Sequence, residues 1–383
     1  MPIPRGSSSG MVDLASSSCD WLVGRQNRDG SWGSGAALDR LISTCHVTMT
    51  LMCAGFSAES APLKKARGWL TSRDAAKHNN SYWILGPLAA FPGVDSELLA
   101  REIRRVEQVL RTGAKPNPDQ LVEAFYLRAL ETTGVDGHSE VVGQALEYIL
   151  NRYDSENGWF SRADTTTDGY CALHAFAPDE AKRIRTEVEM FLGRHAGRNG
   201  DTLHWGSIIS TSYTVMNIVS SDLIESPAMR EMLASAVRGL EAACRDDCYW
   251  DSDAPYGGAG DLKSVDYPTA VAVRALIAAS SVGDPGFQTH IMAYRLGKAQ
   301  RQARLRGLIC TTLLAVLVWV ALTPVDETAV AWLGTVLAGN VERVLSTAGA
   351  LLSLLLAALA LVVGLAPEWT RFLISRLRRA LVY

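Results

Sequence analysis

The sequence predicts an all-α fold made of repeated helix pairs and followed by two transmembrane helices. Three observations predict it. Apolar residues recur at helical spacing in segments that are separated by turns rich in glycine, asparagine and aspartate. Trp159, Trp205 and Trp250 stand in three of these turns, separated by 46 and 45 residues, which is about the length of one helix pair. Near the C-terminus, two long apolar runs contain no charged residue.

The composition restricts the cellular setting and the partners. A chain of 383 residues can bury a large core, and its net charge of -3 gives no electrostatic support for binding nucleic acid. The seven cysteines include no Cys-x-x-Cys pair, which indicates reduced thiols in a cytosolic setting. We expect residues 1–10 to be disordered, and we expect no secretory signal because residues 1–18 contain no long apolar segment.

The first helix pair is joined by residues 21–32, WLVGRQNRDGSW. Trp21 ends a helix and is followed by a polar turn, in which Gly30 can adopt a positive φ. Gln26 can bridge backbone groups of the turn, and Trp32 can insert as a large apolar side chain between helices. Taken alone, this stretch would be an ordinary turn between two helices with a tryptophan in the core.

The same spacing resembles the QW repeat, in which an aromatic-aliphatic pair is followed by Gln and then by Gly-x-Trp. Trp21 with Leu22, Gln26, Gly30 and Trp32 occupy these places, although the basic residue that usually opens the repeat is missing. The repeat is typical of squalene and terpene cyclases of the acid-initiated class (class II), and weaker forms occur in protein prenyltransferase β subunits. The resemblance implies an α/α toroid, which consists of two concentric rings of helices around a central apolar cavity.

Later parts of the chain contain further copies of this unit. Gly158 and Trp159 repeat the Gly-x-aromatic element in the fourth copy, and Trp205 and Trp250 mark the fifth and sixth copies. The second and third copies match poorly. Six units of two helices give the twelve helices of an α6/α6 ring, which we assign to residues 11–285. An open α-solenoid is the structural alternative.

Two apolar runs follow the predicted toroid, residues 307–325 and 344–365, and each is long enough to cross a hydrocarbon core. Basic residues are frequent in the preceding linker, 286–306, and in the tail, 366–383, whereas the loop 326–343 contains a single arginine. By the positive-inside rule, the toroid and both termini face the cytoplasm and the chain crosses the inner membrane twice. A pair of buried core helices is the alternative.

Class II cyclases protonate a double bond with an Asp-x-Asp-Asp motif at the start of an inner helix, and the resemblance directs attention to residues 165–170. Asp168 occupies the last place of that motif, whereas Thr167 stands at the place of the proton donor. An alignment that starts at Asp164 also contains no adjacent pair of aspartates. The structural alternative is that Asp168 caps the N-terminus of its helix.

Two further patterns are typical of metal sites, and both are incomplete. Residues 246–249, DDCY, contain the Asp-x-Cys-Tyr form of the prenyltransferase zinc site, but no histidine follows where the third ligand is expected. Asn217, Ser221 and Glu225 have the spacing of the magnesium triad of ionisation-type terpene synthases, but the acidic motif that should precede them comes later in the chain. We therefore predict no metal and no cofactor.

Residues at or near the starts of the inner helices are expected to line the cavity. The candidates are Cys45, His46, Asp168, Tyr170, His174, Tyr213, Asp266 and Tyr267. An aromatic-rich cavity of this kind suits an isoprenoid or another apolar ligand.

The sequence therefore predicts a membrane-anchored toroid that binds an apolar ligand and acts as a sensor coupled to the transmembrane hairpin. This organisation is similar to that of membrane effectors in bacterial antiviral defence. Its expected partners are the lipid bilayer, the ligand, and a further copy of the chain or another protein. The alternative is a membrane-associated terpene cyclase or prenyltransferase-like enzyme, in which Asp168 would be the catalytic residue.

Overall fold

The structure is a computed structural model that describes residues 8–34, 37–72, 81–112, 121–133, 140–251, 265–284 and 286–322. The chain divides into two compact units, Met1–Tyr294 and Arg295–Tyr383. Thirteen α-helices lie in the described residues: α1 Ser8–Gly24, α2 Ala37–Cys53, α3 Ala61–Leu70, α4 Ser81–Ala90, α5 Ser96–Thr112, α6 Val122–Glu131, α7 Glu140–Asn151, α8 Ala163–Phe176, α9 Pro178–Arg194, α10 Ile208–Val219, α11 Pro227–Ala242, α12 Asp266–Gly283 and α13 Phe287–Leu322. A short antiparallel hairpin, β1 Gly197–Asn199 and β2 Thr202–His204, joins α9 to α10.

The first twelve helices form a closed double ring. Each even-numbered helix packs against the next even-numbered helix, from α2 through α12, and α12 packs in turn against α2. The odd-numbered helices lie outside them. Because α12 also packs against α1, the last helix pair meets the first and the open solenoid is excluded. The predicted all-α toroid is the fold of the described part of Met1–Tyr294.

Burial explains why the even-numbered helices form the inner ring. In α8 every residue from Ala163 to Leu173 is buried, and in α12 every residue from Asp266 to Val273 is buried. The outer helix α9 instead alternates buried apolar residues with exposed charged residues in each turn. A helix that is covered on all sides has no polar face, whereas an outer helix needs one toward water.

Each recognisable repeat contains the same hydrogen-bonded connection between its two helices, here termed the Trp–Thr joint. The indole N–H of the turn tryptophan donates to a carbonyl near the end of the outer helix, and its backbone N–H donates to a threonine hydroxyl of the inner helix. The joints pair Trp32 with Leu22 and Thr44 (2.6 and 2.9 Å), Trp159 with Ile149 and Thr166 (2.8 and 3.1 Å), Trp205 with Leu192 and Thr211 (3.0 and 2.9 Å), and Trp250 with Leu240 and Thr269 (2.7 and 3.0 Å).

The turn of the first repeat is held by the residues that the QW pattern requires. Gln26 donates its side-chain N–H groups to the carbonyl oxygens of Gly30 (3.0 Å) and Pro62 (2.8 Å), which connects the turn to α3. Gly30 has a φ of +96°, and a Cβ atom there would lie 2.4 Å from the carbonyl oxygen of Lys65. A side chain at this position would therefore be excluded both by the backbone conformation and by the approach of α3.

The predicted hairpin is only partly covered by the structure. Helix α13 contains residues 307–322 of the first apolar run. Residues 323–383, with the end of the first run, the loop 326–343, the second run 344–365 and the tail 366–383, lie outside the described residues. Within the described residues, no helix combines the length and the apolarity needed to cross a membrane.

Candidate functional site

A cavity of about 390 Å³ lies inside the inner ring, and all six inner helices contribute to its wall. Its residues are Cys45, His46, Met49 and Cys53 of α2, Trp83, Gly86 and Pro87 of α4, Phe125, Arg128 and Ala129 of α6 with the following Thr132, Asp168 of α8, Tyr213, Met216, Asn217 and Val219 of α10 with the following Ser220, and Arg274 and Ala278 of α12. Thr132 and Ser220 are exposed, whereas Cys45, His46, Asp168 and Tyr213 are buried. The cavity therefore extends from a buried end toward an open edge at the C-termini of the inner helices.

Three aromatic side chains surround His46 at the buried end. Its ring lies 5.0 Å from that of Trp83, 5.9 Å from that of Tyr213 and 4.8 Å from that of Tyr267, measured between ring centres. The Tyr267 hydroxyl donates to the Tyr213 hydroxyl (3.3 Å), which in turn lies 3.0 Å from Nε2 of His46. Burial, and then the positive charge of Arg274, lower the pKa of His46 well below its usual value, so the imidazole is neutral.

Asp168 is the carboxyl group of the cavity wall, and it is only 5% exposed. Burial, and then the negative charge of Asp164, raise its pKa to about 7, against the lowering effect of the hydrogen bond from Asn217. The side-chain N–H of Asn217 donates to Oδ1 of Asp168 at 2.7 Å. Burial therefore favours the protonated form of Asp168 far more than water does.

The interpretation of Asp168 as a helix cap is wrong. Helix α8 begins at Ala163, with Arg162 in the capping position, so Asp168 lies in the second turn. Thr167, which stands where class II cyclases have the proton donor, donates its hydroxyl to the carbonyl of Ala163 (2.9 Å) and accepts from Asn217 (3.1 Å). The helix thus begins five residues before Asp168, and the first turn is formed by residues 163–166.

Four of the predicted cavity residues, Cys45, His46, Asp168 and Tyr213, lie on the cavity wall. Tyr267 packs behind them against His46. The other three make contacts elsewhere. Tyr170 donates its hydroxyl to Asp222 at 2.6 Å, and His174 lies 3.9 Å from the same carboxylate. Asp266 accepts hydrogen bonds from the backbone N–H of Gly33 (2.9 Å) and from the Arg25 side chain.

Two arginines of the wall, Arg128 and Arg274, were missed in the sequence. Arg128 donates to Glu131 (2.9 Å) and to the Ser220 hydroxyl (3.3 Å). Arg274 directs its Nε–H to the sulfur of Met216 at 2.9 Å. Arg274 could have been identified in the sequence, because it is the one charged residue after Asp266 in the mainly apolar sequence of α12. Trp83 and Phe125 carried no comparable signal.

The residues of the two incomplete metal patterns do not form a metal site in the described part of the chain. Helix α10 ends at Val219, so Asn217, Ser221 and Glu225 do not share one helix, and the Ser221 hydroxyl donates to the Asn217 carbonyl (2.8 Å). Cys248 lies in a turn with a φ of 62°. Within the described ranges, no group of three or more His, Cys, Asp or Glu side chains is arranged to hold a metal ion.

Solved structures of a cyclase share this fold. No protein-family model and no curated protein matches the sequence. Three matching structures are variants of the type II terpene cyclase MstE from Scytonema. An Arg-to-Ala and an Asp-to-Asn variant, both in complex with geranylgeranyl dihydroxybenzoate (substrate), have a TM-score of 0.55 and 14% identity. An Asp-to-Ala variant in complex with merosterolic acid A (product) has a TM-score of 0.52 and 15% identity. Each match covers 72% of this chain and 99% of the cyclase chain. At this identity the similarity establishes a terpene cyclase-like all-α fold.

Proposed function

We propose that the toroid binds an apolar ligand of isoprenoid type in the cavity of its inner ring. The observation that carries this proposal is the wall of the cavity, which combines Met49, Trp83, Phe125, Val219 and Ala278 around a volume of about 390 Å³. Cavities of about 300–1,000 Å³ with mainly apolar walls and a few polar groups are typical of small-molecule sites. The ligands held by the structurally similar cyclase support the same class of ligand.

A terpene cyclase is the second candidate, and Asp168 is the observation that favours it. This carboxyl group is buried in the cavity wall, and burial raises its pKa to about 7. Two observations favour binding over catalysis. Burial raises the pKa of Asp168, which makes the group a weaker acid, whereas protonation of an alkene needs a strong one. Thr167 stands at the place of the cyclase proton donor, and its hydroxyl donates a hydrogen bond to the carbonyl of Ala163 in the same helix.

We further propose that ligand binding is coupled to a transmembrane hairpin formed by residues 307–325 and 344–365. The uncharged character of both runs and the basic residues on their outer sides support an inner-membrane location with a cytoplasmic toroid. In this proposal the protein is a sensor that acts on or through the bilayer, with a further copy or another protein as partner. A role as an antiviral defence effector rests only on the similarity between this organisation, a toroid followed by a membrane hairpin, and that of such effectors.

The binding proposal is tested by closing the cavity. Ala278 lines the cavity wall and is partly exposed within it, so Ala278→Phe places a ring in the ligand space. Ala228 is exposed on the outer helix α11, and Ala228→Phe is the matched control. Native mass spectrometry of the full chain in detergent, titrated with geranylgeraniol, should show one bound ligand for the wild type and the control. The Ala278→Phe variant should bind at least about ten-fold more weakly.

Saturable binding that is unchanged in Ala278→Phe, at an unchanged thermal midpoint, would place the ligand elsewhere and contradict the proposal. Absence of binding to the wild type would contradict it too. In a parallel incubation with squalene and with geranylgeranyl diphosphate, products are analysed by gas chromatography after phosphatase treatment. A cyclised product from the wild type and none from Asp168→Asn would favour the enzyme instead.

A further inference from the structure

Arg274 is placed unusually for an arginine. It lies in the middle of α12, an inner helix whose neighbouring residues Val271, Ala272, Val273 and Ala275 are buried. Its own side chain is partly exposed and forms part of the cavity wall. A guanidinium keeps its charge at any physiological pH, so this position brings a permanent positive charge to a mainly apolar wall.

Among the described residues, no carboxylate balances the charge of Arg274. Its Nε–H is directed to the Met216 thioether, which is a weak acceptor, and no carboxylate of the described residues forms an ion pair with it. The other arginine of the wall, Arg128, is paired with Glu131. The cavity carboxyl, Asp168, is bonded to Asn217. A charge in a mainly apolar site is costly unless an opposite charge accompanies it, so Arg274 is suited to an anion that arrives from outside.

The groups around Arg274 also favour an anionic ligand. The imidazole of His46, which Arg274 influences, is neutral and therefore does not repel the guanidinium or compete with it for an anion. The two terminal N–H₂ groups of a guanidinium match the oxygens of a carboxylate or a phosphate. Met49, Phe125 and Ala278 continue the wall with apolar surface beside Arg274. The cavity thus combines a site for a negatively charged head with a site for a hydrocarbon tail.

We propose that Arg274 binds the anionic head group, a carboxylate or a phosphate, of an amphipathic ligand whose isoprenoid tail occupies the rest of the cavity. This inference rests on the proposed function, because it concerns the same cavity. It adds that the ligand is an acid or a phosphate ester and not a neutral hydrocarbon or alcohol. A neutral polyene such as squalene would leave Arg274 without a counter-ion.

The experiment compares three ligands that share one C20 tail: geranylgeraniol, geranylgeranoic acid and geranylgeranyl diphosphate. Affinities for the full chain are measured by native mass spectrometry and by competition. The wild type should bind one or both anions at least about ten-fold more tightly than the alcohol, the size expected of a charge-assisted hydrogen bond. The preferred anion identifies the source as an isoprenoid acid or a diphosphate. Arg274→Gln should abolish this preference while binding of the alcohol changes by less than about two-fold, and Arg274→Lys should retain part of it.

Arg183→Gln, on the exposed face of α9, is the matched control and should behave as the wild type. Equal affinity of the wild type for all three ligands would overturn the inference, and so would a preference that survives in Arg274→Gln. The comparison of the three ligands on the wild type needs no variant, so it tests the inference even if Arg274→Gln does not fold. Failure of all three ligands to bind the wild type would instead contradict the proposed function itself.

Discussion

Asp168 shows how one buried group links the cavity to the stability of the fold. The carboxyl is enclosed by the inner ring, and its charged form has lost the water that would solvate it. Burial is the largest cause of its raised pKa, and Asn217 compensates only in part. The neutral form is therefore the one that the folded protein accommodates, whereas an unfolded chain ionises this residue near its ordinary value of 3.8.

The first prediction concerns the pH dependence of this residue. Because the folded pKa is about 7 and the unfolded value is 3.8, the folded state binds more protons between these values, and the unfolding free energy must fall as pH rises through this window. Asp168→Asn removes the ionisation and keeps an acceptor for Asn217. Between pH 5 and pH 8 we expect the variant to gain roughly 2–3 kcal/mol relative to the wild type. Chemical denaturation at both pH values measures this gain.

Asp201→Asn, at a surface side chain that is 80% exposed, makes the same change of charge without the burial and serves as the control. If the wild type and Asp168→Asn lose stability in parallel from pH 5 to pH 8, the carboxyl is already ionised in the folded protein. The raised pKa of Asp168, and the argument that it is a weak acid, would then be wrong.

At the same scale, the sequence could identify only some of the site. His46 and Tyr213 were predicted to line the cavity as residues near the starts of inner helices, and both do line it. The premise was wrong for His46, which is the tenth residue of α2, Ala37–Cys53. Trp83 and Phe125 were missed for a physical reason. A helix buried on all sides has no polar face, so helical spacing shows which residues share a face but not which face is turned to the cavity. That choice depends on how the six inner helices are rotated against one another.

At the scale of elements, the Trp–Thr joint explains why the repeat pattern predicts the fold. The tryptophan is visible in the sequence, whereas its threonine partner follows at variable distance, 12 residues later for Thr44 and 7 residues later for Thr166. The joint satisfies a backbone N–H that is buried where the turn enters the inner ring. The turns of the two poorly matching repeats lie outside the described residues, yet their helices, α3 to α6, are present.

The second prediction tests this joint with two threonines of α2. Both side chains are fully buried, but Thr44 accepts the Trp32 N–H (2.9 Å), whereas the hydroxyl of Thr48 has no hydrogen-bond partner among the described residues. Thr44→Val leaves a buried N–H unsatisfied and should lower the unfolding free energy by about 1–3 kcal/mol. Thr48→Val replaces an unpaired hydroxyl with a methyl of similar size and should be neutral or stabilising.

Chemical denaturation of both variants beside the wild type measures the difference. The pair is closely matched, because the two residues stand one turn apart in the same helix and undergo the same substitution. Equal effects at the two positions would mean that the joint contributes nothing beyond packing, and the repeat would then be held by the tryptophan ring alone.

At the scale of the whole molecule, closure of the ring creates the cavity. Helix α12 packs against α1 and α2, and Asp266 at its start accepts hydrogen bonds from Gly33 and Arg25 of the first repeat. The carboxylate predicted to face the cavity thus holds the first and last repeats together. In an open solenoid the same inner face would be a groove exposed to water. Closure converts that groove into a cavity with a buried end, in which the apolar part of a ligand can be shielded from water.

The last prediction concerns the part of the chain beyond the toroid. If residues 344–365 cross the bilayer, the full chain should sediment with membranes and resist extraction by alkaline carbonate. Leu355→Arg places a charge in the middle of this run and should weaken insertion by about 2.5–3.5 kcal/mol, so that a large fraction becomes extractable. Leu296→Arg is the matched control, because Leu296 lies in α13 before either run, is 62% exposed and stands beside Arg295. This variant should remain with the membrane. Extraction of the wild type by carbonate, or identical behaviour of the two variants, would rule out the hairpin and leave the toroid without an anchor in this part of the chain.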